Sequence, residues 1–68
     1  MPSSVIRGFE YDPGKRQLQI TFVSGRVYAY EGVPPRTYAA FAAAPSKGSF
    51  FNHHIRDHYR FREIKRAG

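Results

Sequence analysis

Between Leu18 and Phe22 apolar and polar residues alternate strictly, with Leu18, Ile20 and Phe22 on one side and Gln19 and Thr21 on the other. That is the period of a half-buried β-strand. Ser24-Gly25 follows as a turn and Tyr28-Ala29-Tyr30 returns, so the stretch reads as a β-hairpin around which the rest of the chain is organised. Loop length decides where the tyrosines face. A two- or four-residue loop sets Tyr28 and Tyr30 beside Gln19 and Thr21. A three-residue loop, with Gly25 left-handed in a bulge, shifts the parity and sets them beside Ile20 and Leu18. Val23-Ser24-Gly25 suits the three-residue form, because glycine stands where positive φ is needed. Val27, Ala29 and Glu31 would also make a poor core face. The tyrosines are therefore expected on the core, their hydroxyls reaching its edge.

Upstream, Val5 to Tyr11 reads as a first strand with broken alternation: burying Ile6, Phe9 and Tyr11 together requires a one-residue slip near Arg7-Gly8, where glycine permits a bulge. Asp12-Pro13-Gly14-Lys15 predicts a type II turn with Gly14 at its positive-φ position. Downstream, Gly32-Val-Pro-Pro35 ends the sheet, and proline is tolerated where a helix starts. Arg36 to Ala44 is predicted helical, with Tyr38, Phe41 and Ala42 as its apolar stripe and Pro45 as its stop. Ser46 predicts an N-cap for a second short helix running through Phe51 toward Ile55. Tyr59-Arg60-Phe61-Arg62 returns to alternation as a short basic strand with Tyr59 and Phe61 inward. The fold class is α+β: a three-stranded antiparallel β-meander, two short helices and a short C-terminal basic strand. Residues 1–64 form a single domain, and 65–68 are expected to be a frayed, disordered basic tail.

Composition narrows the function. Cysteine is absent, so neither a disulfide framework nor a thiolate metal site is available. No apolar run approaches membrane-spanning length and the first residues lack a signal-peptide pattern, so no membrane partner and a cytoplasmic location are expected. Eleven Lys and Arg against five Asp and Glu give a net charge of +6, and aromatics make up 16% of the 68 residues. A basic excess on so small a domain points to a polyanionic partner, although the same charge also serves solubility.

An ordered set of residues carries a family resemblance. Ser3-Ser4 precedes the first strand and Tyr11-Asp12 ends it; Phe22 with Ser24-Gly25, Tyr28-x-Tyr30 and Gly32-Val-Pro34 follow. Then come Ala44-x-Ser46-x-Gly48, Phe51-Asn52, Ile55-Arg56 and Tyr59. In order and spacing, over roughly residues 3–64, this resembles the KTSC domain, a small module that stands alone in bacterial and phage proteins and also ends some lysyl-tRNA synthetases. The resemblance implies an RNA-binding role through association with tRNA charging, and it brings no catalytic residues.

The candidate site is a basic surface made of Arg56, Arg60, Arg62, Lys65 and Arg66, to which Tyr28 or Tyr30, if exposed, adds a stacking platform. With Tyr59 and Phe61 inward, Arg60 and Arg62 point outward together about 7 Å apart, close to the spacing of successive phosphates. His54 and His58, four apart, have a metal-pair spacing but lack a third ligand, so no metal and no cofactor are expected. His53, His54 and His58 beside Arg56 also supply the residue types of a metal-independent ribonuclease, but the plainer role is to cap a helix end. Ser46-Lys47-Gly48-Ser49 lacks the pattern of a phosphate loop and reads as a cap. The expectation is a small non-enzymatic nucleic-acid-binding module, for RNA in preference to DNA. The alternative is a protein–protein interaction module of bacterial or phage origin.

Overall fold

The structure, a computed structural model, describes residues 5–64. Four strands, β1 (Ile6–Asp12), β2 (Gln17–Phe22), β3 (Val27–Tyr30) and β4 (Phe61–Ile64), make one antiparallel sheet in the order β1-β2-β3-β4. Between β3 and β4 the chain forms helix α1 (Pro35–Ala43), helix α2 (Lys47–Phe50) and a π-helical turn, Phe51–Ile55, continuous with α2.

The hairpin takes the three-residue loop. Phe22 N–H donates to Arg26 O at 2.9 Å, and Gly25 N–H donates to Phe22 O at 2.8 Å with Gly25 at φ 95°. Leu18 accordingly pairs with Tyr30, and Ile20 with Tyr28. The slip in β1 lies between Ile6 and Gly8, which pair with Phe22 and Thr21. It turns Ile6, Phe9 and Tyr11 to the core face, where all three pack on the central cluster. That cluster is Leu18, Ile20, Tyr30, Val33, Phe41, Phe51 and Ile55. Phe41 of α1 is fully buried and meets the Phe9 ring edge-on at 4.9 Å, while Tyr38 stacks on Tyr11 at 4.4 Å. The Tyr11 hydroxyl donates to Val33 O at 2.6 Å and pins the segment after β3 to β1.

Three expectations change. Gly14 is not the left-handed residue of the first turn. The Asp12 carboxylate accepts from the N–H groups of Gly14 (3.0 Å) and Lys15 (3.2 Å), the loop runs on, and the positive φ (52°) falls on Arg16. The last strand is Phe61–Ile64 rather than Tyr59–Arg62, and it is the fourth strand of the same sheet, lying on the free edge of β3. Glu31 N–H donates to Arg60 O at 2.8 Å, which sets that register and leaves the half-buried Tyr59 outside the ladder, packed on the core. Phe61 keeps the expected face, opposite Tyr30, but not the expected burial: it is 53% exposed, because β4 is an edge strand. The Ser3-Ser4 segment and the tail at 65–68, with Lys65 and Arg66, lie outside the described residues.

Two glycines test this reading. Gly25→Ala forces a side chain into left-handed backbone and should cost about 1–2 kcal/mol, whereas the Cβ of Gly8→Ala meets nothing within 4 Å. Urea denaturation should show a clear drop in midpoint for the first variant and little change for the second. Tyr11→Phe should lower stability by about 0.5–1.5 kcal/mol through the lost bond to Val33 O.

Candidate nucleic-acid interface

The two faces of the sheet differ in chemistry because alternation sorts their residues. On the core face, aromatic rings run in contact toward β4: Phe22 meets Tyr28 at 5.3 Å and Phe51 at 5.5 Å, and Tyr30 meets Phe51 at 5.3 Å. Phe61 closes the run, 5.2 Å from both Tyr28 and Tyr30. Tyr30 lies beneath this layer at 2% exposure, Tyr28 is half-buried, and Phe61 has an open face.

This aromatic edge is one wall of a groove of about 750 Å³. Arg26 rises from the hairpin loop. Asn52, Arg56 and Asp57 come from the π-helical turn and the residues just after it. The turn is closed by Arg56 N–H donating to Phe51 O at 2.8 Å. Phe51 and Ile55 are buried, and the alternate positions Asn52 and Arg56 are left on the exposed side. Among the described residues, the large apolar side chains that stay most exposed are Val5 (43%), Val23 (59%) and Phe61, and all three line this groove. Exposed apolar area gathered in one concave place marks a binding surface better than the same area scattered.

The groove lining carries two arginines, Arg26 and Arg56, and one acid, Asp57. The Tyr28 hydroxyl, chiefly, and Glu63 hold the Arg26 guanidinium still further in its charged form. Tyr30 is pushed up to about 12, chiefly by burial, then by the neighbouring Tyr28 and Asp57, with Arg56 acting against them. Arg56 and Asp57 therefore stand within electrostatic reach of the Tyr30 hydroxyl. The opposite face of the sheet carries a depression of about 520 Å³ lined by Gly8, Phe9, Glu10, Gln19, Thr21, Val27 and Ile64. Its one charged residue is an acid, so it offers a polyanion nothing.

Of the residues expected in the site, Tyr28, Tyr30 and Arg56 come together. Arg60 and Arg62 do not line the groove. Arg62 pairs with Ala29 on the far face of the sheet, and its Nε lies 3.6 Å from Glu31 Oε2, both side chains open to solvent. Lys47 is held by Ala44 O at 3.3 Å and stands over the Phe9 ring, away from the groove. The histidines attach to their own helix: the Nδ1–H of His53 donates to Ser49 O at 2.9 Å, and the Nε2–H of His58 donates to His53 O at 3.1 Å. His54 packs on Phe50 at 4.5 Å. Among the described residues no three acids and histidines gather as a metal site, and no helix is long and apolar enough to cross a membrane. Sequence reasoning missed Arg26, Asn52, Asp57 and the exposure of Phe61. Arg26 was within reach, since the parity that turns Tyr28 and Tyr30 to the core face also turns residue 26.

A four-stranded antiparallel sheet with short helices on one face, and an aromatic–arginine groove at the open edge, defines a one-sided α+β domain. The chain belongs to the KTSC domain family, whose profile matches residues 2–59. A crystal structure of a KTSC domain protein from Yersinia pestis is 40% identical and superposes with a TM-score of 0.84, over 96% of this chain and 94% of that one. A protein of Stutzerimonas stutzeri, described as uncharacterized, is 40% identical over 65 residues, 94% of this chain and 92% of its own length. A lysine–tRNA ligase of Nostoc punctiforme is 41% identical over 61 residues; 90% of this chain is covered, but only 11% of the ligase.

The pH dependence of stability tests the Tyr30 environment. A phenol whose folded value is raised from 10.0 to about 12 stays neutral in the folded state while the unfolded chain ionises. Its contribution is complete below pH 10 and is lost as pH rises toward 12. Thermal melts between these limits should fall more steeply for wild type than for Tyr30→Phe.

Proposed function

We propose that this domain is a non-enzymatic binding module for single-stranded RNA and that the Phe61–Tyr28 groove is its binding surface. The carrying observation is the exposed Phe61 ring, supported from behind by Tyr28 and Tyr30, with Arg26 and Arg56 lining the same groove. A base stacks on such a ring whatever its identity, and flanking guanidinium groups take up the phosphates. The lysine–tRNA ligases among its relatives act on a tRNA, which supports RNA as the ligand. The histidines take no part: two are tied to backbone carbonyls and none lines the groove.

A second reading, a docking groove for another protein, draws on Val5 and Val23, whose apolar area no base requires. The two readings separate by salt. Phosphate contacts weaken steeply as salt rises, whereas apolar docking changes little.

Fluorescence anisotropy with labelled single-stranded RNA is the test. Arg26→Ala with Arg56→Ala should weaken binding and lower the log–log salt slope by about 1.4, at ~0.7 per phosphate contact. Arg60→Ala with Arg62→Ala, outside the groove, should leave affinity nearly unchanged, and all four positions are exposed, so melting should move little. The reverse ranking would transfer the interface to the far face of the sheet. Phe61→Ala removes one stacking platform, worth about 1–3 kcal/mol, a loss of roughly 5- to 150-fold.

A further inference from the structure

One member of the groove does not suit a bare phosphodiester strand. Asp57 lines it beside Arg56, and a carboxylate there repels the backbone that the arginines attract. Among the described residues no hydrogen bond or ion pair engages that carboxylate; the ion pair within 4 Å is Arg62–Glu31 on the far face. An ionised carboxylate only accepts hydrogen bonds, and it accepts two in parallel. Asn52, on the same stretch of backbone, adds one donor group and one acceptor. The groove therefore presents, within about 750 Å³, a flat aromatic face, two cations and an acceptor-rich rim.

We infer that the groove selects an unpaired guanine, stacked on the open face of Phe61, with its N1–H and N2 amino group donating to Asp57. This rests on the RNA-binding reading above. The chemistry discriminates among the four bases. Guanine alone offers two adjacent donors on its Watson–Crick edge. Adenine and cytosine each place one amino group beside a ring acceptor, and uracil places one N–H between two carbonyls. A carboxylate meets both guanine donors and leaves an acceptor facing it in every other base. Unpaired bases read on their Watson–Crick edges while stacked on aromatic rings are the usual route to sequence preference in single-stranded RNA. The 11 Lys and Arg of the chain provide attraction that does not depend on sequence. Asp57 supplies the base preference, at some cost in general affinity.

The test uses the full chain and short labelled oligouridines, either uniform or carrying one central guanosine, inosine, adenosine or cytidine; a single guanosine avoids self-association of the RNA. Wild type should bind the guanosine oligomer about tenfold more tightly than the uniform one, the scale of one bidentate base contact. Inosine, which keeps N1–H and lacks the 2-amino group, should lose most of that gain. Asp57→Asn should erase the guanosine preference while leaving affinity for uniform oligouridine equal or higher, since a negative charge leaves the groove. Equal wild-type affinity for all five oligomers, with binding still salt-dependent, would overturn the guanine assignment and leave the RNA reading intact. Retention of the guanosine preference in Asp57→Asn would also overturn it. Absence of binding to every oligomer at low salt would remove the RNA reading, and this inference with it.

Discussion

The three-residue loop at Val23–Gly25 fixes the side of the sheet on which every later residue falls. Because side chains alternate with a period of two, one residue more or less in this loop would exchange the two faces of β3. Gly25 at φ 95° makes the three-residue form affordable, as the left-handed region carries no penalty for glycine. With that register Tyr28 and Tyr30 face Ile20 and Leu18, and Ala29 and Val27 face the other way. The register then passes outward: β4 pairs on β3, so Phe61 comes opposite Tyr30 and Arg62 opposite Ala29. Core, aromatic groove and the solvated Arg62–Glu31 pair are three consequences of one turn.

The groove exists because the sheet extends beyond its cover. Phe41 of α1 and Phe51 of the π-helical turn lie over Phe9, Phe22 and Tyr30 and exclude water there. At β4 the same aromatic layer continues, but the ring of Phe61 has support on one side and solvent on the other. An aromatic held rigid by its neighbours binds a flat ligand without losing much rotational freedom of its own. The π-helical turn matters for the same reason. Its wider hydrogen bond, Arg56 N–H to Phe51 O, keeps Phe51 and Ile55 in the core while Asn52 and Arg56 stay on the exposed side along the groove. Single π turns inside helices often occur at functional sites.

Much of this architecture is legible in the sequence. The alternation in Leu18–Phe22, the slip at Arg7-Gly8, the three-residue loop and the Ser46 cap all rest on local chemistry: a two-residue period, a glycine where the backbone needs freedom, a hydroxyl before a helical turn. Each is settled within a few residues, and each appears in the structure, including Ser49 N–H donating to Ser46 Oγ at 3.3 Å. The first turn departs from its sequence pattern for a local reason too. Asp12 competes for the backbone N–H groups of Gly14 and Lys15, and that competition moves the left-handed residue to Arg16.

Family membership, the α+β class and the orientation of the two tyrosines were thus determined by the sequence itself, because they depend on order and parity along the chain. Which arginines share a surface with those tyrosines was decided only by tertiary structure. Alternation along the last strand sets Arg60 and Arg62 outward from Phe61, and pairing on β3 puts Arg62 opposite Ala29, on the face away from that ring. Arg26 and Arg56 are thirty residues apart and meet across the groove because β3 and the π-helical turn pack through Tyr30 and Phe51. Exposure was equally a tertiary matter: Phe61 has the apolar character of a core residue, and only its place on the outermost strand leaves one face of the ring in water.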